Sequence, residues 1–149
     1  MVNVFSEMLI TFSSGNAYLV QSKMDFNKKE FLFSEDAFYL NYPFDDAEKI
    51  IPFFENLKAR EQHRIINFIQ DSFEFQVRVE DLFGKFLVVM FYNLEVHSLV
   101  IAGLVGLGDS SINTFIDLLK IYTSKEKSKV VVLTGTSPRL YGRISITAL

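Results

Sequence analysis

The sequence predicts a single α/β domain spanning 1–149, built on a mixed sheet. It would have antiparallel N-terminal strands, a central helical segment and a C-terminal βαβ unit. Three observations point there. Short runs of aromatic and branched residues bounded by Ser, Gly and Asn fill the first forty residues. Apolar residues recur at helical spacing through the middle of the chain. Near the end, two continuous apolar runs flank an amphipathic segment, the pattern of buried parallel strands joined by a crossover helix.

In order, Met8-Leu9-Ile10-Thr11-Phe12 reads as a strand entering the turn Ser13-Ser14-Gly15-Asn16, followed by Ala17-Tyr18-Leu19-Val20 and Phe31-Leu32-Phe33. The stretch 38–44 is a further extended segment that Pro43 ends. Asp45 with Glu48 matches a capping pair, and Ile50, Phe53, Phe54 and Leu57 follow at helical spacing. Helix is expected over about 46–71, kinked or divided at Pro52. Phe73-Glu74-Phe75-Gln76-Val77-Arg78-Val79-Glu80 alternates as a half-buried strand does, with Gly84 supplying a turn. The runs 86–92 and 99–105 read as strands covered on both faces. Asp109 caps a helix whose buried stripe is Ile112, Phe115, Ile116, Leu119 and Tyr122, and Val130-Val131-Val132-Leu133 is the last buried strand.

Composition narrows function chiefly by exclusion. The chain has no Cys, no Trp, two His and 16 Phe, with 49% hydrophobic residues. Without cysteine there is no disulfide, thiolate nucleophile or Cys-based zinc site. His63 and His97 stand in no metal-ligand spacing; an exposed helical histidine and a satisfied structural one are expected, and no metal or cofactor is assigned. Glu80 and Asp81 are adjacent, so on a strand they would face opposite ways and make no acid–base pair. The net charge of −3 and scattered basic residues argue against nucleic acid as a partner. Lys125, Lys127 and Lys129 read as a solvated connection. Asn93, Glu95, His97 and Ser98 interrupt the most lipid-like stretch, 86–108, so no membrane span is expected. The N-terminus lacks a signal-peptide pattern, which makes the cytoplasm the expected location.

The most informative segment is the 103–111 loop, which joins a buried strand to a helix. Gly106-x-Gly108-x-x-Ser111 approximates a dinucleotide fingerprint, and free helix amides attract anions. Asp109 beside the pyrophosphate and the lack of an acid after the next strand, which runs into Thr134-Gly135-Thr136, favour a structural reading, in which the glycines permit a tight turn and close packing. No Gly-Lys-Ser/Thr of a Walker loop follows. The phenylalanines read first as core and second as pocket lining; Phe5, Phe12, Phe31 or Tyr39, if exposed, would form a protein-binding face.

The stretch 97–138 resembles the STAS domain of anti-sigma-factor antagonists. The resemblance is carried by Leu99-Val100-Ile101, Asp109-Ser110-Ser111, the helical segment 112–122, the strand 130–133 and Ser137-Pro138. Ser110-Ser111-Ile112 with Asp117-Leu118-Leu119 also looks like the related SiaC-type regulators. The resemblance implies a partner-switching regulator without catalysis of its own, controlled by phosphorylation at this helix start. By position the modified residue is Ser111, with Ser110 and Asp109 beside it. The partner expected is therefore another protein, and sheet edges at both ends of the chain suit a homodimer. A toxin-immunity or phage-encoded inhibitor that occludes a partner's active site is a second expectation. A nucleotide- or phosphate-ligand protein using the 103–111 loop is the third.

Overall fold

The computed structural model describes residues 2–3, 11–22, 37–41, 47–104, 107–136 and 145–149. In chain order these form β1 (Val2–Asn3), β2 (Thr11–Phe12), β3 (Asn16–Ser22), β4 (Ala37–Asn41), α1 (Ala47–Asn56), α2 (Ala59–Phe73), α3 (Leu82–Val96), β5 (Leu99–Gly103), α4 (Asp109–Lys125), β6 (Val130–Thr136) and β7 (Ser145–Ala148). The expected strands at 8–10 and 31–33, the capping residue Asp45 and the Ser137-Pro138 pair lie outside the described residues.

The α/β class and the mixed sheet hold. Five strands run in the order β4-β5-β6-β3-β7, the first four parallel and β7 antiparallel to β3. The expected βαβ unit is β5-α4-β6, with Leu99 opposite Val130 and Gly103 opposite Thr134. Among the described residues, the two N-terminal strands that pair with each other antiparallel are β1 and β2, two residues each. β3 and β4 instead join the mixed sheet, where β4 runs parallel to β5 and β3 lies between β6, parallel to it, and β7, antiparallel to it.

Alternation along the central strands sorts the sheet into two faces. Ala17, Val100, Ala102, Val131 and Leu133 face the helices, where α1 contributes Ile50 and Phe54, α2 Ile65 and Ile69, and α4 Phe115 and Leu119. Val20, Leu99, Ile101, Val130 and Val132 form a second buried cluster on the opposite face with Phe12. The crossovers β4 to β5 and β5 to β6 advance in the same direction, and right-handed connections of that kind set their helices on one side of a sheet.

Four expectations in the middle of the chain are corrected. The apolar run 86–92 is helix, inside α3, where Phe86, Leu87, Val88, Val89, Met90 and Phe91 are all buried. A helix enclosed on every side needs no polar face, so its sequence loses the helical period and imitates a buried strand. The alternating segment 73–80 is no strand: α2 runs to Phe73, Glu74 caps it with φ 52°, and no ladder follows. Gly84 makes no turn; it lies in the first turns of α3 and lets the Arg78 carbonyl approach so closely that a Cβ there would stand 1.7 Å from the oxygen. The expected division near Pro52 falls later, between Asn56 and Ala59, and Pro52 stays inside α1.

Polar contacts lock the helices together at their ends. Arg64 on α2 bonds Glu61 and reaches Glu95 on α3 at 2.7 Å, and the Arg64 hydrogen bond holds the Glu61 carboxyl below its ordinary pKa. The Tyr122 hydroxyl donates to the Leu94 carbonyl at 3.3 Å, and burial pushes that phenol up to about 12. Lys129 is not simply solvated: its ammonium donates to the Glu95 and His97 carbonyls at 3.2 and 3.0 Å, closing the C-terminal end of α3. Lys125 and Lys127 are exposed, as expected.

Candidate functional site

The four parallel strands bring Asn41, Gly103, Thr136 and Ser22 to one edge of the sheet, the carboxyl edge where open α/β sheets place their ligands. α4 starts there. After β5 the Leu104 amide donates to the Thr134 carbonyl at 2.9 Å, and the Leu107 amide to the Leu104 carbonyl at 3.0 Å. Leu104 and Leu107 are buried and anchor the loop at both ends, while Val105 and Gly106 lie outside the described residues.

Gly108 precedes the first helical residue, with φ −67° and ψ 153°, and its carbonyl accepts from the Ile112 amide at 2.9 Å. The capping role expected of Asp109 therefore passes to a residue without a side chain. Asp109 stands inside the first turn, exposed, where its charge complements the positive end of the helix as Lys125 complements the other end. Gly108 has no side chain with which to cap the helix. Helix geometry leaves the amides of Asp109, Ser110 and Ser111 without intrahelical acceptors. Ser110 is exposed and its carbonyl accepts from the Thr114 hydroxyl at 2.9 Å; Ser111 is half-buried.

The structural reading of the glycines fails at Gly108. Its φ is negative, and among the described residues a Cβ added there meets nothing within 4 Å. Neither a tight turn nor close packing demands glycine at this position.

The remaining candidates are dispersed. His63 is exposed on α2. His97, just beyond α3, stacks on Phe38 with ring centres 5.9 Å apart, and its amide donates to the Asn93 carbonyl. Glu80 and Asp81 lie in the turn before α3, both exposed. Among the described residues no three His, Asp or Glu side chains gather as metal ligands, and no helix is long and apolar enough to cross a membrane.

Of the aromatics considered for a binding face, Phe12 is 1% exposed and belongs to the core, Tyr39 is half-buried, and Phe5 and Phe31 lie outside the described residues. Among the described residues, the large apolar side chains that reach the surface are Ile51, Phe53, Val96, Ile121 and Ile146. Sequence reasoning missed another feature: residues 75–78 join neither sheet and lie between α2 and the turn into α3. Their alternation was visible in the sequence, but their place outside both sheets was not. No family model matches the chain, and no curated protein matches it.

Proposed function

We propose that the chain is a non-enzymatic regulatory or inhibitory module of the cytoplasm that acts by binding another protein and is controlled at the start of α4. One observation carries the reading. Ser110 and Ser111 sit in the first turn of a 17-residue helix whose N-cap, Gly108, offers no side chain to the leading amides, and a Cβ added at Gly108 meets no described residue within 4 Å. A phosphate on Ser111 would gain from those amides and from the helix dipole, and would meet repulsion from Asp109. That balance suits a reversible switch. In the partner-switching scheme that the STAS resemblance implies, the modified form releases its partner.

The test is partner binding by wild type, Ser111→Ala and Ser111→Asp, with phosphosite mapping of protein from its own cells. Ser111→Asp is expected to lose the partner while Ser111→Ala keeps it. Equal binding by all three would remove the switch.

A helix start whose N-cap offers no side chain also favours a second reading, a phosphate-bearing ligand on the 103–111 loop. A nucleotide held at a hundred times its dissociation constant adds about 2.7 kcal/mol of stability. Thermal unfolding with a nucleotide panel should then show a clear rise, and a flat response across the panel would discard this reading.

A further inference from the structure

We infer that α3 holds a second structure in reserve. When its cover opens, residues 86–94 convert from helix to strand and pair antiparallel with the same residues of a second copy of the chain, Lys85 of each facing Glu95 of the other. The inference goes beyond the reading of the chain as a regulatory module and uses none of the α4 site.

Local preference and native structure disagree along this helix. Residues 86–94 carry no charge, Gly or Pro, the longest such stretch in the chain. Phe86, Val88, Val89, Phe91 and Tyr92 are branched or aromatic, types that lose side-chain freedom in a helix and fit a pleated strand. The helix ends supply little of their own. The first turn has no acidic residue, the last turn has no basic one, and Asp81 at the N-cap makes no side-chain capping bond. The helix is held from outside instead. Residues 86–91 are at most 1% exposed. Phe86 packs on Phe115 of α4 with ring centres 5.1 Å apart, and Phe91 packs on Phe73 of α2 and Tyr122 of α4 at 5.3 and 5.6 Å. Tertiary contact therefore overrides a local preference for strand, a conflict that surfaces once the contact is lost.

An uncharged, Pro-free run of strand formers is the signature of a segment that stacks with copies of itself. The flanking charges choose the register. Lys85 and Glu95 stand at opposite ends of the run with opposite sign. Parallel, in-register stacking would set Lys85 on Lys85 and Glu95 on Glu95, and like charges directly opposite are unfavourable. Antiparallel pairing centred on Met90 sets Lys85 opposite Glu95 at both ends. It also sets Val88 opposite Tyr92 and Val89 opposite Phe91, the branched–aromatic pairs that strands favour. In the native fold both charges are engaged elsewhere, Glu95 with Arg64 of α2 at 2.7 Å and Lys85 with the Val79 carbonyl. They are released for the new pairing as α2 and the 75–80 connection leave α3.

The test is assembly of the full chain at its urea midpoint, with amide exchange mapped in the product. Fibres with strands about 4.7 Å apart are expected, with the infrared signature of antiparallel sheet and exchange protection over 86–94. Lys85→Glu should lengthen the lag before assembly about threefold or more, and adding Glu95→Lys should restore it. Each variant is held at its own midpoint, so equal fractions are open. The double change also loses the Arg64 contact, so its midpoint should fall below that of Lys85→Glu while its lag recovers. A variant that does not fold is compared with wild type on equal dilution of both from urea. Amorphous precipitate, no assembly, a parallel sheet or a protected core elsewhere, such as 130–134, overturns the proposal. A double change as slow as Lys85→Glu alone overturns it too.

Discussion

Replacing Gly84 with Ala should destabilise the protein, although alanine is by far the better helix former. The ideal Cβ would stand 1.7 Å from the Arg78 carbonyl oxygen, 2.5 Å from its carbon and 3.2 Å from the Val79 nitrogen. All three atoms are backbone, so no rotamer change relieves the clash. Reaching an ordinary carbon–oxygen contact of about 3.3 Å requires the 78–79 backbone to retreat by roughly 1.5 Å. That movement strains the Asp81-to-Arg78 hydrogen bond and the Lys85 contact with Val79, and it draws Val77 out of the core. Backbone displacement by overpacking costs about 1–3 kcal/mol and a weakened hydrogen bond about 1 more. Helix propensity returns about 1 kcal/mol. A net loss of about 2 kcal/mol follows, which lowers the melting temperature by roughly 4–8 °C in a chain of this size. Equilibrium unfolding in urea measures it directly, as a lower midpoint with an unchanged slope. If Gly84→Ala matched or exceeded wild type, propensity alone would govern the site, and the close approach of the 78–79 backbone would be refuted.

Other expectations follow from single contacts. Glu74 holds φ 52° at the end of α2, so Glu74→Gly should stabilise by about 1 kcal/mol in urea unfolding. Lys129→Met, which keeps the aliphatic stem but loses the contacts to the Glu95 and His97 carbonyls, should cost about 1 kcal/mol by the same measurement. Tyr122 has its pKa raised from 10.0 to about 12, so the folded state favours the neutral phenol. Its contribution is therefore intact below pH 10 and falls away as pH rises from 10 to 12, because the unfolded chain ionises first. The difference in urea midpoint between wild type and Tyr122→Phe should shrink across that window, and a constant difference would contradict the assignment.

How far the sequence disclosed this structure depends on where each element finds its partners. The unit β5-α4-β6 was legible because its signals are local: two buried runs flank a helix with a clear apolar stripe at Phe115, Leu119 and Tyr122. α3 was misread because burial on all sides erased its period, leaving 86–91 continuously apolar. The direction of β3 and β4 was not legible either, since each pairs with a strand more than fifty residues away and nothing within a strand encodes whether it runs parallel. The alternation at 73–80 was wrongly read as a strand: Phe73 ends α2, Glu74 is left-handed and 79–80 turn into α3, because alternating burial along 75–79 reports which side chains face the core and not hydrogen bonding. At the candidate site the placement of Ser110 and Ser111 at a helix start was legible. The transfer of the N-cap position from Asp109 to Gly108 was not, because adjacent residues compete for it and helix ends carry that uncertainty in register.

The central claim is that this chain acts through another protein and is switched at the start of α4. Its most direct test is to purify the protein from its own cells and separate the partner-bound from the partner-free fraction. The modification state of Ser110 and Ser111 is then mapped in each. Phosphate on Ser111 is expected in the free fraction and an unmodified helix start in the bound one. Unmodified serines in both fractions, or the same occupancy in each, would contradict it.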